Sequence, residues 1–155
     1  MTAPSALPHC VRAVALAEKL NAPVAEAWQP YYVNFPREHP LYAGIAVDGM
    51  KALVDAADVV LLAECVMPWH PPSALPGPGT RVLAVGEDPL RSSLPYWGVR
   101  ADRVVPGELR TTLDALVARI AVRGQSPIPF ARTQKQDRAL PPNSEGMNTA
   151  WIATQ

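Results

Sequence analysis

The chain has 155 residues, with 14 Lys and Arg against 14 Asp and Glu, and so no formal net charge. That length holds one domain with a real core and some tail, and the neutral balance argues against a nucleic-acid or anionic-membrane partner. No apolar run approaches the ~20 residues of a membrane helix, and no basic patch followed by an apolar run marks a secretory leader.

Two cysteines, Cys10 and Cys65, are too few for a disulfide framework, so reduced thiols in a cytoplasmic protein are expected. The 18 prolines far exceed the usual share of ~5 %. They crowd into 68–78, 127–129 and 141–142, which marks loops and linkers.

From Pro8 to Leu20 the spacing of Val11, Val14, Ala15 and Leu16, with Glu18 and Lys19 opposite, predicts a helix with Pro8 in its first turn. Asn21 is its expected stop, and Ala22–Ala27 reads as a short strand. Gln29–Gly44 reads as irregular, rich in aromatics and prolines. Asp48 is placed to cap a helix running to Ala57, with Met50, Leu53, Val54 and Ala57 on its buried face.

The centre of the chain is Asp58–Leu90. Two apolar runs, Asp58–Ala63 and Arg81–Val85, flank a Pro-rich loop, Glu64–Thr80. Both are continuous rather than alternating, the pattern of strands covered on both faces in a parallel sheet. Loops leaving the carboxyl ends of such strands line the ligand crevice, so a site is sought first at Glu64–Pro72 and Gly86–Leu90.

Pro89–Trp97 is expected to make a short helical turn and Asp102–Val105 a last strand. In Glu108–Arg123, Leu109, Leu113, Leu116, Val117 and Ile120 share one helical face, and Gly124 is the expected closure. Residues 125–147 are polar and Pro-interrupted, a linker or surface arm. Asn148–Ile152 reads as the start of a further helix. Strands alternating with helices predict an α/β domain over 1–124, with four evident strands.

Few side chains suggest chemistry directly. Glu64, Cys65 and His70, with His39, offer a loose metal or Cys/His grouping, but Cys-x4-His matches no strong ligand spacing and no third orienting group is evident. The plainer reading is a half-buried Cys and loop histidines. Asp88 either caps the next turn or contacts a ribose. Asp48 and Gly49 start a helix whose amino end could hold an anion. Trp69, Tyr96 and Trp97 read as loop packing or as an interface for neighbouring domains, ahead of stacking on a ligand. Arg91, Arg100, Arg103 and Arg110 read as a solvated rim.

The order of motifs resembles one family. Ala17-Glu18-Lys19-Leu20-Asn21-Ala22-Pro23-Val24 is similar to the helix-then-strand segment of thiamine-diphosphate enzymes of the acetolactate synthase class. Phe35-Pro36-Arg37-Glu38-His39-Pro40-Leu41-Tyr42-Ala43-Gly44 resembles their "FP…HPL…G" stretch. Ala57–Leu62 resembles "ADLVL", and Glu87-Asp88-Pro89 with Gly107-Glu108 resembles "IDxDP … GD". Pro68-Trp69-His70-Pro71 looks like the loop of an acetolactate-synthase-like branch.

The resemblance spans roughly 17–120. It implies the central, Rossmann-like, three-layer domain of such an enzyme, with a mostly parallel sheet, followed by a Pro-rich arm. Asn148–Gln155 resembles the opening of the next domain.

In that family the flanking domains carry the chemistry, 2-oxo acid decarboxylation and carboligation, with thiamine diphosphate and Mg²⁺. A Gly-Asp-Gly segment for the metal appears nowhere in these residues. The resemblance therefore implies a scaffold or vestigial nucleotide-binding piece, inactive alone, with no catalytic or metal residue. Its partners would be flanking domains and further copies of itself.

FAD or ADP, held by some members, would fall on Asp48, Gly49, Gly86, Asp88 and Glu108. A free-standing adenine-nucleotide, FAD-binding or regulatory module is the alternative. Two departures bear on it. The family's first strand and Gly-rich turn have no counterpart ahead of Pro8, and Gly86 and Glu108 stand where the family has Asp.

Overall fold

The computed structural model describes residues 8–27, 34–45, 50–66, 68–69, 75–90, 93 and 100–124. The fold is α/β with parallel sheets in a Rossmann-like arrangement. The elements run α1 (Pro8–Leu20), β1 (Val24–Glu26), β2 (Tyr42–Ile45), α2 (Met50–Asp55), β3 (Val59–Ala63), β4 (Arg81–Gly86), β5 (Arg103–Pro106) and α3 (Leu109–Arg119). The expected linker and terminal segment, 125–155, lie outside the described residues.

Helix α1 stops as the sequence predicts. Asn21 takes a left-handed φ of 50°, its N–H bonds Glu18 O, and Ala22 N–H reaches back to Ala17 O at 3.0 Å. This pair of bonds satisfies carbonyls that the helix end would otherwise leave open. The next strand, β1, pairs in parallel with β2, with a register shift between Val24 and Ala25.

Strand β2 corrects the reading of 29–44 as irregular throughout. Leu41 bonds back to Val24 N–H, and Tyr42–Ile45 then run alongside β1. Prolines and aromatics mask the segment's short extended end. Phe35 and Leu41 from this stretch pack on Ala17, with Ala13, Val14, Val24 and Tyr42 around them, to form the first core cluster.

Strands β3, β4 and β5 form the second sheet, in that order and all parallel. In β4, Val82, Ala84 and Val85 are at most 2 % exposed, matching the prediction of a strand covered on both faces. Val82 and Ala84 meet Leu62, with Val60, Cys65, Trp69 and Ala101 packed around them. Fully burying a side chain such as Val82 contributes ~1.5–3 kcal/mol. The single sheet expected from sequence is thus two sheets, of two and three strands, among the described residues.

Helix α3 ends at Arg119, with Ile120 as its extended C-cap, four residues short of the predicted Arg123. Gly124 therefore does not close it. The chain instead leaves along α1. Lys19 Nζ donates to Val117 O, and Arg123 N–H donates to Lys19 O. Lys19 Nζ thus brings a cation and a donor to the open Val117 carbonyl at the negative end of α3. Arg12 pairs with Asp114 at 2.9 Å across the same two helices. Helix α2 spans Met50–Asp55 and ends short of the predicted Ala57, and the predicted cap Asp48 lies outside the described residues. No described helix is long and apolar enough to cross a membrane.

Candidate functional site

The predicted crevice lies where β3, β4 and β5 end. At the end of β3, Glu64 takes a left-handed φ of 48°, and its N–H donates to Val85 O at 3.1 Å. That turn swings its side chain across to the neighbouring strand, where Oε1 accepts the N–H of Glu87. Between them lies Gly86, with a φ of 146°. A Cβ on Gly86 would overlap the Glu64 carboxylate. Gly107 N–H, past β5, donates to Gly86 O at 2.7 Å.

Glu108 caps α3. Its carboxylate accepts the N–H groups of Arg110 at 3.0 Å and Thr111 at 2.7 Å, and the Thr111 hydroxyl at 2.6 Å. The Thr111 hydroxyl and N–H bonds hold the Glu108 carboxyl below its ordinary value. A depressed acid stabilises the fold above its unfolded pKa and loses that contribution as pH falls through the folded one. Glu108→Gln is therefore expected to flatten the acid limb of α3 unfolding, read by amide exchange in Arg110–Leu113 between pH 3 and pH 6. An unchanged limb would refute the cap's role.

These contacts decide what the crevice can hold. The donors that an anionic ligand would seek, Glu87 N–H and the first N–H groups of α3, already serve Glu64 and Glu108. Glu64, Glu87, Asp88 and Glu108 all fall just past the ends of β3, β4 and β5, so a diphosphate would meet like charge. Gly86 and Glu108 lie at neighbouring strand ends, linked through the Gly107 N–H bond to Gly86 O, and Asp88 follows Gly86 by two residues. Asp48 and Gly49 lie outside the described residues. Among the described residues, this end offers carboxylates rather than open donors to the phosphates of FAD or ADP.

Of the loose Cys/His grouping, the described residues place Cys65 and His39 in different parts of the fold. Cys65 packs beside the second core cluster. His39 belongs to the first half of the fold, under Phe35, with Glu18 at 3.3 Å. His70 is outside the described residues. Among the described residues no three His, Cys, Asp or Glu side chains gather as a multi-ligand metal site would need.

A second polar cluster escaped the sequence reading. Glu26, at the carboxyl end of β1, is 4 % exposed. It accepts Asn34 N–H and the Tyr42 hydroxyl, each at 2.9 Å, with Arg37 at 3.7 Å. A carboxylate buried this deeply must be hydrogen-bonded, and these donors tie the segment after Asn34 back to β1. The one available signal was a lone acid inside Val24–Ala27.

Burial and the Glu26 carboxylate push Tyr42 up to about 12. A raised pKa means the contribution is whole below the unfolded value, ~10, and is lost as pH rises toward 12. Tyr42→Phe is expected to cost about 1–3 kcal/mol, by removing a donor from a buried acceptor, and to remove the alkaline loss. Urea unfolding at pH 8 and pH 11 reads both, and an equal cost at the two pH values would refute the link.

No family model matches the chain. A solved structure from Mycobacterium smegmatis, assigned as a thiamin diphosphate-dependent enzyme, superposes with a TM-score of 0.63 at 30 % identity over 81 % of this chain and 25 % of its own. The thiamine diphosphate-dependent 4-hydroxybenzoylformate decarboxylase of Rhodococcus jostii RHA1 matches 79 % of this chain and 24 % of its own, with a TM-score of 0.61 at 29 % identity. Benzoylformate decarboxylase from Polynucleobacter necessarius shares the fold, with a TM-score of 0.66 over 87 % of this chain and 26 % of its own, at 24 % identity.

Among curated proteins, sulfoacetaldehyde acetyltransferase of Rhodobacter capsulatus is 46 % identical over 70 residues, which is 43 % of this chain and 11 % of that protein. The chain thus spans about a quarter of the solved structures that it matches and about a tenth of the curated relative.

Proposed function

We propose that this chain is the central-domain portion of a thiamine-diphosphate-dependent enzyme of the acetolactate-synthase-like branch, a scaffold without catalysis of its own. The observation that carries the reading is the superposition of four-fifths of this chain on a quarter of a thiamin diphosphate-dependent enzyme. The curated match to an acetyltransferase supports it from sequence. The parent reaction in this reading is decarboxylation or carboligation of a 2-oxo acid, with thiamine diphosphate and Mg²⁺ held by other domains. The domain itself spaces and orients its neighbours.

The alternative, an adenine-nucleotide or FAD module, has the self-bonded carboxylates of Glu64 and Glu108 against it. Thermal unfolding with and without each ligand separates the two. Binding to the folded state adds about 2.7 kcal/mol when ligand is at 100 times its dissociation constant. The scaffold reading expects no shift with ADP, FAD or thiamine diphosphate plus Mg²⁺. It also expects that the chain, grafted in place of the matching quarter of Polynucleobacter benzoylformate decarboxylase, leaves an enzyme that binds thiamine diphosphate. A shift with ADP or FAD would favour the nucleotide module, and turnover of a 2-oxo acid by the chain alone would sink the claim of no catalysis.

A further inference from the structure

Both ring nitrogens of His39 hold parts of the fold. Nδ1 faces the Leu41 N–H at 3.2 Å, and Nε2 stands 3.3 Å from the Glu18 carboxylate of α1. A backbone N–H can only donate, so Nδ1 must carry the lone pair. The neutral ring therefore has its proton on Nε2, where it donates to Glu18.

The imidazole is part of a turn. Tyr42 N–H donates to His39 O at 2.9 Å, with Pro40 and Leu41 between them, and proline suits the second place of such a turn. The ring reaches the N–H two residues on, as an Asn or Asp side chain does at the head of a turn. Leu41 is 7 % exposed, so its N–H has little water to turn to. Its carbonyl holds Val24 N–H at 2.8 Å, beside the register shift of the β1–β2 ladder. The ring thus fastens the turn from which β2 starts.

A second proton on the ring removes one of these bonds. It goes onto Nδ1, which then points a donor at the Leu41 N–H and leaves that N–H without its acceptor. The ring is 16 % exposed, which leaves the proton a path. At Nε2 the new charge strengthens the pull of Glu18, a carboxylate 62 % exposed and so screened.

The other charged groups around the ring offer Leu41 no substitute. On α1 the next residue, Lys19, is turned to α3. In the turn itself Glu38 is exposed and Arg37 reaches Glu26 at 3.7 Å. From β1 and β2 the titratable groups are Glu26 and Tyr42, which bond one another at 2.9 Å. Phe35, edge-on to the imidazole, carries no charge.

We infer that His39 is a pH-sensitive latch on the junction of β1 and β2. Neutral, it ties the turn before β2 to Leu41; protonated, it releases Leu41 and keeps its hold on α1 through Glu18. The inference rests on the two bonds of the ring and is independent of the enzyme family.

The test uses the full chain with isotope-labelled histidine, across the pH 5 to pH 8 window in which imidazoles ordinarily change charge. Nitrogen NMR at pH 8 is expected to show the ring that contacts Phe35 as the Nε2–H tautomer. Leu41 amide protection, corrected for the intrinsic pH dependence of exchange, is expected to fall by about tenfold or more from pH 8 to pH 5. Protection at Val82–Val85 should stay level. His39→Asn keeps an acceptor two residues ahead of the Leu41 N–H and does not titrate, so it is expected to hold Leu41 protection level throughout. His39→Gln, whose amide lies one carbon further out, is expected to leave Leu41 poorly protected at both ends of the range. The Nδ1–H tautomer at pH 8, or level Leu41 protection in the native chain, would overturn the latch. So would an equal fall in His39→Asn, since a group other than His39 would then carry the proton.

Discussion

Gly86→Ala is expected to destabilise the fold by about 2–4 kcal/mol, far more than an ordinary surface glycine. Two costs add. At a φ of 146° an L side chain is strained, at ~1–3 kcal/mol. The new methyl also overlaps the Glu64 carboxylate, which must withdraw from Glu87 N–H and lose a bond worth about 0.5–1.5 kcal/mol. Only the second cost depends on Glu64. In a Glu64→Ala background, Gly86→Ala should therefore cost about 1 kcal/mol less, a coupling that a double-mutant cycle reads directly. Urea denaturation of the four proteins measures it. Strict additivity would mean that strain alone fixes Gly86, and that the Glu64 bond does not brace the strand ends.

That pair also shows where reading the residues stops. The two apolar runs, the helices starting near Pro8 and Glu108, and the stop at Asn21 follow from local pattern, because periodicity and left-handed stops are written in neighbouring residues. Gly86 could be seen as a departure from Asp. Its cause could not, because Glu64 lies 22 positions earlier and meets it only once β3 and β4 are in register. The same holds for Glu26, which finds Asn34 and Tyr42 at 8 and 16 positions along the chain. The early end of α3 has the same origin. Its apolar face continues to Ile120, but Lys19 of α1 reaches the last turn, and the chain then follows α1. Local propensity for more helix loses to a tertiary contact.

Phe35→Ala is expected to be the most damaging single substitution in the first half of the chain, at about 3–5 kcal/mol. Phe35 is 1 % exposed, although it sits in a turn-rich stretch. Its ring meets His39 edge-on with centroids 5.2 Å apart, and lies nearly parallel to Tyr42 at 6.4 Å. Ala17 and Leu41 close the remaining sides. Little backbone hydrogen bonding holds β1 and β2, whose ladder is three residues long and shifted in register. A sheet of two strands is marginal without apolar cover, so removing the ring takes away what holds helix, loop and strands together.

The loss should be local first. Amide exchange at Val24–Glu26 and Tyr42–Ile45 should quicken well before exchange at Val82–Val85, since no described strand pair joins the two sheets. Phe35→Leu, which keeps most of the volume, should recover more than half of the loss. Equal quickening in both sheets would show that α1 and α3 bind the halves into one cooperative unit.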